Sequence, residues 1–125
     1  MTYPLQYFRI GIGNTDNNVV ASGSSLAPSH HTGKTIEKWY LNYKSANSFQ
    51  IVNSSNNQVM TANGSKVTLA NNSNSSAQNW NIEGVQKDYD GYYLYYKIVN
   101  AGDSSKALTY TANSGFSLTN YGGIN

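Results

Sequence analysis

Cysteine is absent from the 125-residue chain. That excludes a disulfide, a thiolate metal site and a cysteine nucleophile. It also argues against a small secreted domain stapled by disulfides. Charge is scarce, with 11% charged residues and a net charge of +2 at pH 7. The eight basic residues are scattered. A nucleic-acid or anionic-membrane footprint needs them clustered, so neither partner is expected. No segment approaches the roughly 18 apolar residues of a membrane span. The start, Met1-Thr2-Tyr3-Pro4, lacks the basic stretch and apolar run of an export signal. Such a signal is expected to have been removed or to lie in a longer precursor. No i, i+3, i+4, i+7 apolar pattern is sustained, so helix is not expected.

Asn, Ser, Thr and Gly supply the polarity instead. Neutral, hydrogen-bonding surfaces of this kind point to a secreted, extracellular protein. Short segments rich in Val, Ile, Tyr and Phe alternate with Asn/Ser/Gly clusters, the signature of many short strands joined by turns. The fold class is all-β.

The strands recur. Phe8-Arg9-Ile10-Gly11-Ile12, Ser48-Phe49-Gln50-Ile51-Val52-Asn53 and Tyr95-Tyr96-Lys97-Ile98-Val99-Asn100 each alternate aromatic, polar and aliphatic residues. Ring and aliphatic therefore share one strand face. Phe8 and Phe49 are 41 positions apart, and Phe49 and Tyr96 are 47 apart. The extra residues fit inside the long turn from Gly84 to Gly91. Each opener is followed by a second strand (Asn18–Ala21, Gln58–Thr61, Lys106–Tyr110) and a third (around Leu26, then Lys66–Leu69 and Phe116–Thr119). A fourth carries tryptophan in Glu37-Lys38-Trp39-Tyr40-Leu41 and Gln78-Asn79-Trp80-Asn81-Ile82. Trp39 and Trp80 are again 41 apart. Four strands per unit, three times over, must share one core, because no unit buries its own apolar face.

Gln78-Asn79-Trp80, its variant Glu37-Lys38-Trp39, and the strings "FQIVNSSNNQVMTA" and "YKIVNAGDSSKALTY" resemble the ricin-type β-trefoil lectin family, the QxW-repeat fold also used as a carbohydrate-binding module by bacterial glycan-degrading enzymes. The resemblance runs from about Tyr7 to Asn125. It implies a single β-trefoil domain over residues 1–125, with three pseudo-repeats of four strands at about 7–47, 48–93 and 94–125. The last repeat is truncated. By analogy with Ala77 before Gln78, a Gln-x-Trp strand would begin at the position after Asn125. The N-terminal segment or a second chain would then cover the gap in the barrel. The resemblance places Trp39 and Trp80 in the shared core, where a buried indole N–H needs a partner. Gln78 either bonds backbone in the adjoining turn or reaches a ligand hydroxyl; Glu37 keeps the acceptor and loses the donor.

A sugar needs an aromatic ring for its C–H face and directional donors and acceptors for its hydroxyls. The family site combines an Asp after the second strand's aliphatic pair, an aromatic on or after the third strand, and an Asn before Gln-x-Trp. At the Asp position stand Ala21, Thr61 and Thr109, so no unit keeps it. At the Asn position stand Ile36, Ala77 and Asn125. The third unit thus offers Thr109, Tyr121 and Asn125. The first offers His30 and His31; the second resembles structural filler. In "YDGYYLYY", Asp90-Gly91 is a hairpin signal. Alternation puts Tyr92, Leu94 and Tyr96 on one face, expected to join the core. Tyr93 and Tyr95 fall on the other, either as a platform for a polysaccharide chain or as support for the hairpin.

His30 and His31 are neighbours and cannot both face one metal, and Asp88-Tyr89-Asp90-Gly91 lacks the later ligands of a calcium loop. No metal or cofactor is expected. No sequence context marks a nucleophile, so no enzyme activity is expected. The resemblance implies a non-catalytic module binding a plant-type polysaccharide or oligosaccharide, pectin- or xylan-like, and tethered to a catalytic domain of a secreted bacterial glycan-degrading enzyme. The alternative is the receptor- or glycan-binding trefoil of a bacterial toxin. A third reading is a scaffold domain with every sugar site inactive.

Overall fold

The computed structural model describes residues 7–13, 15–45, 48–87, 89–91, 93–103, 105–112 and 115–120, without the side chains of 86, 87 and 93–95. The described residues form ten strands: β1 Asn17–Ser22, β2 Ser25–His30, β3 Trp39–Ser45, β4 Ser48–Asn53, β5 Val59–Asn63, β6 Lys66–Ala70, β7 Trp80–Lys87, β8 Tyr93–Asn100, β9 Lys106–Thr111 and β10 Gly115–Asn120. Three-residue 3-10 helices at Thr35–Glu37 and Ser76–Gln78 precede the two tryptophans.

All strand pairs are antiparallel. Strands β4, β5, β6, β10, β9, β8 and β7 pair in that order, and β7 pairs back to β4. This closed circuit of seven strands removes the free edges that an open sheet would expose. Strand β3 flanks β4, and β1–β2 form a separate hairpin. Two hairpins turn on two residues, Gly23-Ser24 and Gly64-Ser65. Both glycines have left-handed φ, 60° and 62°, the geometry that matches the twist of the flanking strands.

Alternation in β4–β6 sends Ile51, Met60, Val67 and Leu69 inward, where they meet Trp39, Trp80, Val19 and Leu118 in one cluster. Both indoles are fully buried. The register repeats at the level of single bonds. Trp39 Nε1 donates to Val19 O at 2.9 Å, and Trp80 Nε1 to Met60 O at 2.8 Å. Phe8 faces Trp39 as Phe49 faces Trp80. The Asn53 side chain donates to Ile36 O at 2.9 Å, and that of Asn100 to Ala77 O at 3.3 Å. The likeness has limits. Leu69 N–H reaches Ser24 O and Leu118 N–H reaches Ser65 O, both at 2.8 Å. The corresponding first-unit residue is Pro28, opposite Val19. Proline has no N–H, so the third contact of this kind has no donor.

Several expectations need correction. The first opener is not a strand but a pair of isolated bridges, Phe8–Trp39 and Gly11–Asn18. Glu37 and Gln78 lie in the 3-10 helices rather than on the strands that follow. The residue after the Trp-accepting carbonyl is Val20 in the first unit and Thr61 in the second. Val20, not Ala21, is therefore the counterpart of Thr61 and Thr109. Tyr96 was expected in the core with its opener, yet it is 60% exposed. The β7–β8 register shifts between Gly84 and Gln86 and again between Gln86 and Lys87. Both shifts lie beyond Tyr96 on the hairpin side, so alternation still sets Tyr96 on the face of Ile98; that face lines an open apolar groove beside β9–β10 and not a closed core.

Candidate functional site

The two tryptophan corners share a backbone and differ in chemistry. In the second, Gln78 is 1% exposed and every polar atom of its side chain is engaged. Its Oε1 accepts from Ser73 N at 2.9 Å, and its Nε2 donates to Asn71 O at 2.8 Å and Thr61 Oγ1 at 3.2 Å. Gln78 therefore holds the Asn71–Ser75 loop against β5. Next to it, Asn42 Nδ2 donates to Gln50 Oε1 at 2.9 Å and Gln50 Nε2 to Asn72 Oδ1 at 2.8 Å. This corner is self-satisfied, as a structural unit should be.

In the first corner Glu37 is fully buried. A carboxylate only accepts, so its partners must all be donors. Thr32 N–H donates to both oxygens, at 3.0 and 3.2 Å. Gly33 N–H donates to Oε1 in a short contact, and Asn18 Nδ2 donates to Oε2 at 3.4 Å. His31 Nδ1 lies 2.7 Å from Oε1, with its side chain 58% exposed. Burial pushes the Glu37 pKa up. The Gly33 and Thr32 N–H groups and His31 outweigh burial and hold the carboxyl below its ordinary range. The backbone loop that closes on Gln78 thus closes on a charge here, and His31 is drawn to the rim.

Beside this corner lies a cleft of about 410 Å³, lined by Tyr7, Phe8, Arg9, His31, Glu37 and Lys38. The bridge of Phe8 to Trp39 brings the 7–9 segment alongside residues 31–38. Tyr7 is 52% exposed, and its ring meets Tyr40 edge-to-face at 6.1 Å between centroids. The cleft therefore offers a half-open aromatic face, two permanent cations and an imidazole. Its single carboxylate is sealed by four donor groups. Such a surface suits a ligand with a C–H face, hydroxyls and negative charge. No motif marks Tyr7, Arg9 or Lys38. The signal available in the sequence was the 41-residue offset, which sets Phe8 opposite Trp39 as Phe49 is opposite Trp80.

The other expected site residues fall as follows. His30 ends β2, exposed, opposite Asn17. It adjoins His31 in sequence, but only His31 lines the cleft. Thr109 Oγ1 lies 2.7 Å from Thr119 Oγ1 and donates to Ala107 O at 3.1 Å in the geometry of a strand hydroxyl. Tyr121 and Asn125 lie outside the described residues. Tyr93 and Tyr95 are in β8, opposite Lys87 and Gln86, and their side chains also lie outside the description. No group of three or more potential metal ligands occurs among the described residues. No described helix is long and apolar enough to cross a membrane.

No family model matches the sequence, and no curated protein is significantly similar to it. Solved structures do match, and they show the fold. A mosquitocidal holotoxin is 21% identical with a TM-score of 0.74, over 99% of this chain and 16% of that one. An endo-β-galactosidase from Clostridium perfringens that releases GlcNAcα1-4Gal is 13% identical with a TM-score of 0.72, over 95% and 29%. A Polyporus squamosus lectin, solved with Neu5Acα2-6Galβ1-4GlcNAc, is 13% identical with a TM-score of 0.66, over 95% and 44%. The chain thus spans less than half of each of these three. Its architecture, all-β with β-trefoil neighbours that include lectin and toxin proteins, is that of a β-trefoil.

Proposed function

We propose that this chain is a non-catalytic glycan-binding β-trefoil domain and that it binds at the first-unit cleft. The observation that carries the reading is the cleft's composition: exposed Tyr7 beside Arg9, Lys38 and His31. Tyr7 supplies a stacking face, and the cations supply charge-assisted donors to a carboxylate. Among plant-type polysaccharides this favours a uronate-bearing, pectin-like chain over a neutral xylan. The third-unit set of Thr109, Tyr121 and Asn125 is the weaker alternative, because the Thr109 hydroxyl already has partners. The three-by-four repeat layout, with units at about 7–47, 48–93 and 94–125, belongs to the same proposal and rests on the 41-residue bond register.

The proposal includes secretion and tethering to a glycan-degrading enzyme, supported by the likeness to part of an endo-β-galactosidase. A tethered module raises the effective concentration of a weakly bound glycan. The second reading, the receptor- or glycan-binding domain of a toxin, is favoured by the likeness to a mosquitocidal holotoxin. Affinity electrophoresis separates the cases. Polygalacturonate in the gel is expected to retard the wild type more than neutral xylan does, and Tyr7→Ala is expected to remove the retardation. Retardation by terminal animal-type oligosaccharide conjugates alone would favour the toxin reading. No retardation by any glycan would defeat both.

A further inference from the structure

We infer that His31 sets which sugar chain the cationic cleft takes: its outward ring nitrogen accepts from a hydroxyl when the imidazole is neutral and donates to a carboxylate when it is protonated. Glu37 fixes that role as a positioning residue. The inference rests on the glycan reading of the cleft and deepens it, because the choice between a uronate-bearing and a neutral chain then turns on one proton.

The tautomer of the ring follows from the chemistry of its partner. His31 Nδ1 lies 2.7 Å from Glu37 Oε1. Glu37 is fully buried and accepts from the Thr32 and Gly33 N–H groups and from the Asn18 amide. Burial opposes its charge, the backbone donors outweigh burial, and the carboxyl stays ionised. A carboxylate only accepts, so the shared proton sits on Nδ1. A neutral imidazole has one N–H, which leaves Nε2, on the far side of the ring, a bare acceptor. No described residue bonds Nε2. The side chain is 58% exposed and lines the cleft. Protonation therefore reverses the polarity of the one imidazole atom that a ligand can reach.

The second unit shows what this site has given up. At the 41-residue offset Arg9 corresponds to Gln50 and His31 to Asn72. The same offset relates the Tyr7–Tyr40 ring contact to the Ser48–Asn81 hydrogen bond. Gln50 Nε2 donates to Asn72 Oδ1 at 2.8 Å, so donor and acceptor satisfy each other there. Arg9 can only donate. Once His31 is protonated, both members of the pair are donors and cannot bond one another. A carboxylate is the group that two converging cationic donors recognise. The other charged or titratable groups around the imidazole are Glu37 on the 3-10 turn, Arg9, Lys38 and Tyr7 on the cleft walls, and His30 and Lys34 along its own loop. Arg9 and Lys38 stay charged, and a tyrosine hydroxyl neutral, over the range in which an imidazole titrates. The charge of the cleft therefore changes through His31.

The test measures equilibrium binding of an oligogalacturonate to the 125-residue chain from about pH 7.5 to about pH 5.5, across which an imidazole changes charge. The ligand's carboxylates stay ionised there, since carboxyl groups titrate near pH 4, roughly. Affinity is expected to rise roughly tenfold at the lower pH, the gain of one charge-assisted hydrogen bond. A neutral xylo-oligosaccharide should show no such rise. His31→Gln should remove the dependence, and His30→Gln should keep it. Long-range proton–nitrogen correlation spectra of the ligand-free wild type at the higher pH should place the proton of the neutral His31 ring on Nδ1. Oligogalacturonate binding that is equal at the two pH values, a dependence that survives His31→Gln, or a neutral ring protonated on Nε2 would overturn the inference and leave the glycan reading standing. No binding of either oligosaccharide at either pH would defeat the glycan reading, and this inference with it.

Discussion

The Glu37 and Gln78 corners are one backbone solution built twice. Each begins with a 3-10 turn and ends on a buried indole bonded to a strand carbonyl 20 residues upstream. At Gln78 the amide donates and accepts, Thr61 and Asn71 take its hydrogens, and the loop is closed on itself. At Glu37 there is no hydrogen to give, and the first-unit counterpart of Thr61 is Val20, which needs none. The substitutions are thus matched: losing the donor accompanies losing the acceptor. What remains is a charge that recruits two backbone N–H groups, Asn18 and His31. The comparison teaches that the indole socket tolerates change around it, and that chemistry enters where the surrounding shell is no longer self-sufficient. A fold whose function resides in such grafted positions keeps its scaffold while its sites come and go.

The largest effect should come from the sockets themselves. Trp39→Ala and Trp80→Ala should each destabilise the fold by about 3–5 kcal/mol in chemical denaturation. Equal costs would support equivalence of the two corners. A cost near zero at either would break it. Next is Gln78→Ala, which leaves Ser73 N–H without its acceptor. A loss of roughly 1–3 kcal/mol is expected, and Gln78→Glu should be no milder, because the carboxylate would face Asn71 O.

Glu37→Gln sharpens the comparison through pH. The folded-state pKa of Glu37 is lowered, so its stabilisation is complete above the unfolded value, about 4.3. It is lost as pH falls through the lower folded value. Glu37→Gln should flatten the acid side of the stability profile, whereas Gln78→Glu should not create a matching acid-sensitive limb. Thermal melts from pH 7 down to pH 3 would show this. The smallest stability effect is expected at Tyr7→Ala. Tyr7 is half-exposed, and a surface change of this kind stays within about 0.5 kcal/mol, while glycan retardation should be lost.

Much of this was legible in the sequence, for a physical reason. An indole that must be buried and bonded, preceded by an amide or carboxylate, cannot drift in register. Trp39 and Trp80 therefore keep the same spacing as Phe8 and Phe49. The strands on either side of the β1–β2 and β5–β6 turns were legible as short apolar runs, whereas the left-handed φ of Gly23 and Gly64 shows only in the structure. Tyr96 falls on the face of Ile98, as period two requires, but that face lines an open groove and not a closed core, which no local pattern reveals. Ala21 was taken for Val20 because nothing in a run of small apolar residues fixes the position until the Trp39 bond to Val19 does so. Tyr7, Arg9 and Lys38 carry no motif of their own, and the 41-residue offset hints at their closeness only through the pairing of Phe8 with Trp39. Only the Phe8–Trp39 bridge brings them together. The sequence singles out His31, and the structure sets it against the buried Glu37, a pairing no motif announces.

The most direct measurement is a nuclear magnetic resonance titration of the wild type with an oligogalacturonate, followed residue by residue. Saturable shifts centred on Tyr7, His31 and Lys38, abolished in an Arg9→Ala/Lys38→Ala double variant, are the predicted result. Shifts confined to the β9–β10 groove, or none at concentrations where a neutral oligosaccharide binds, would contradict a cationic first-unit site.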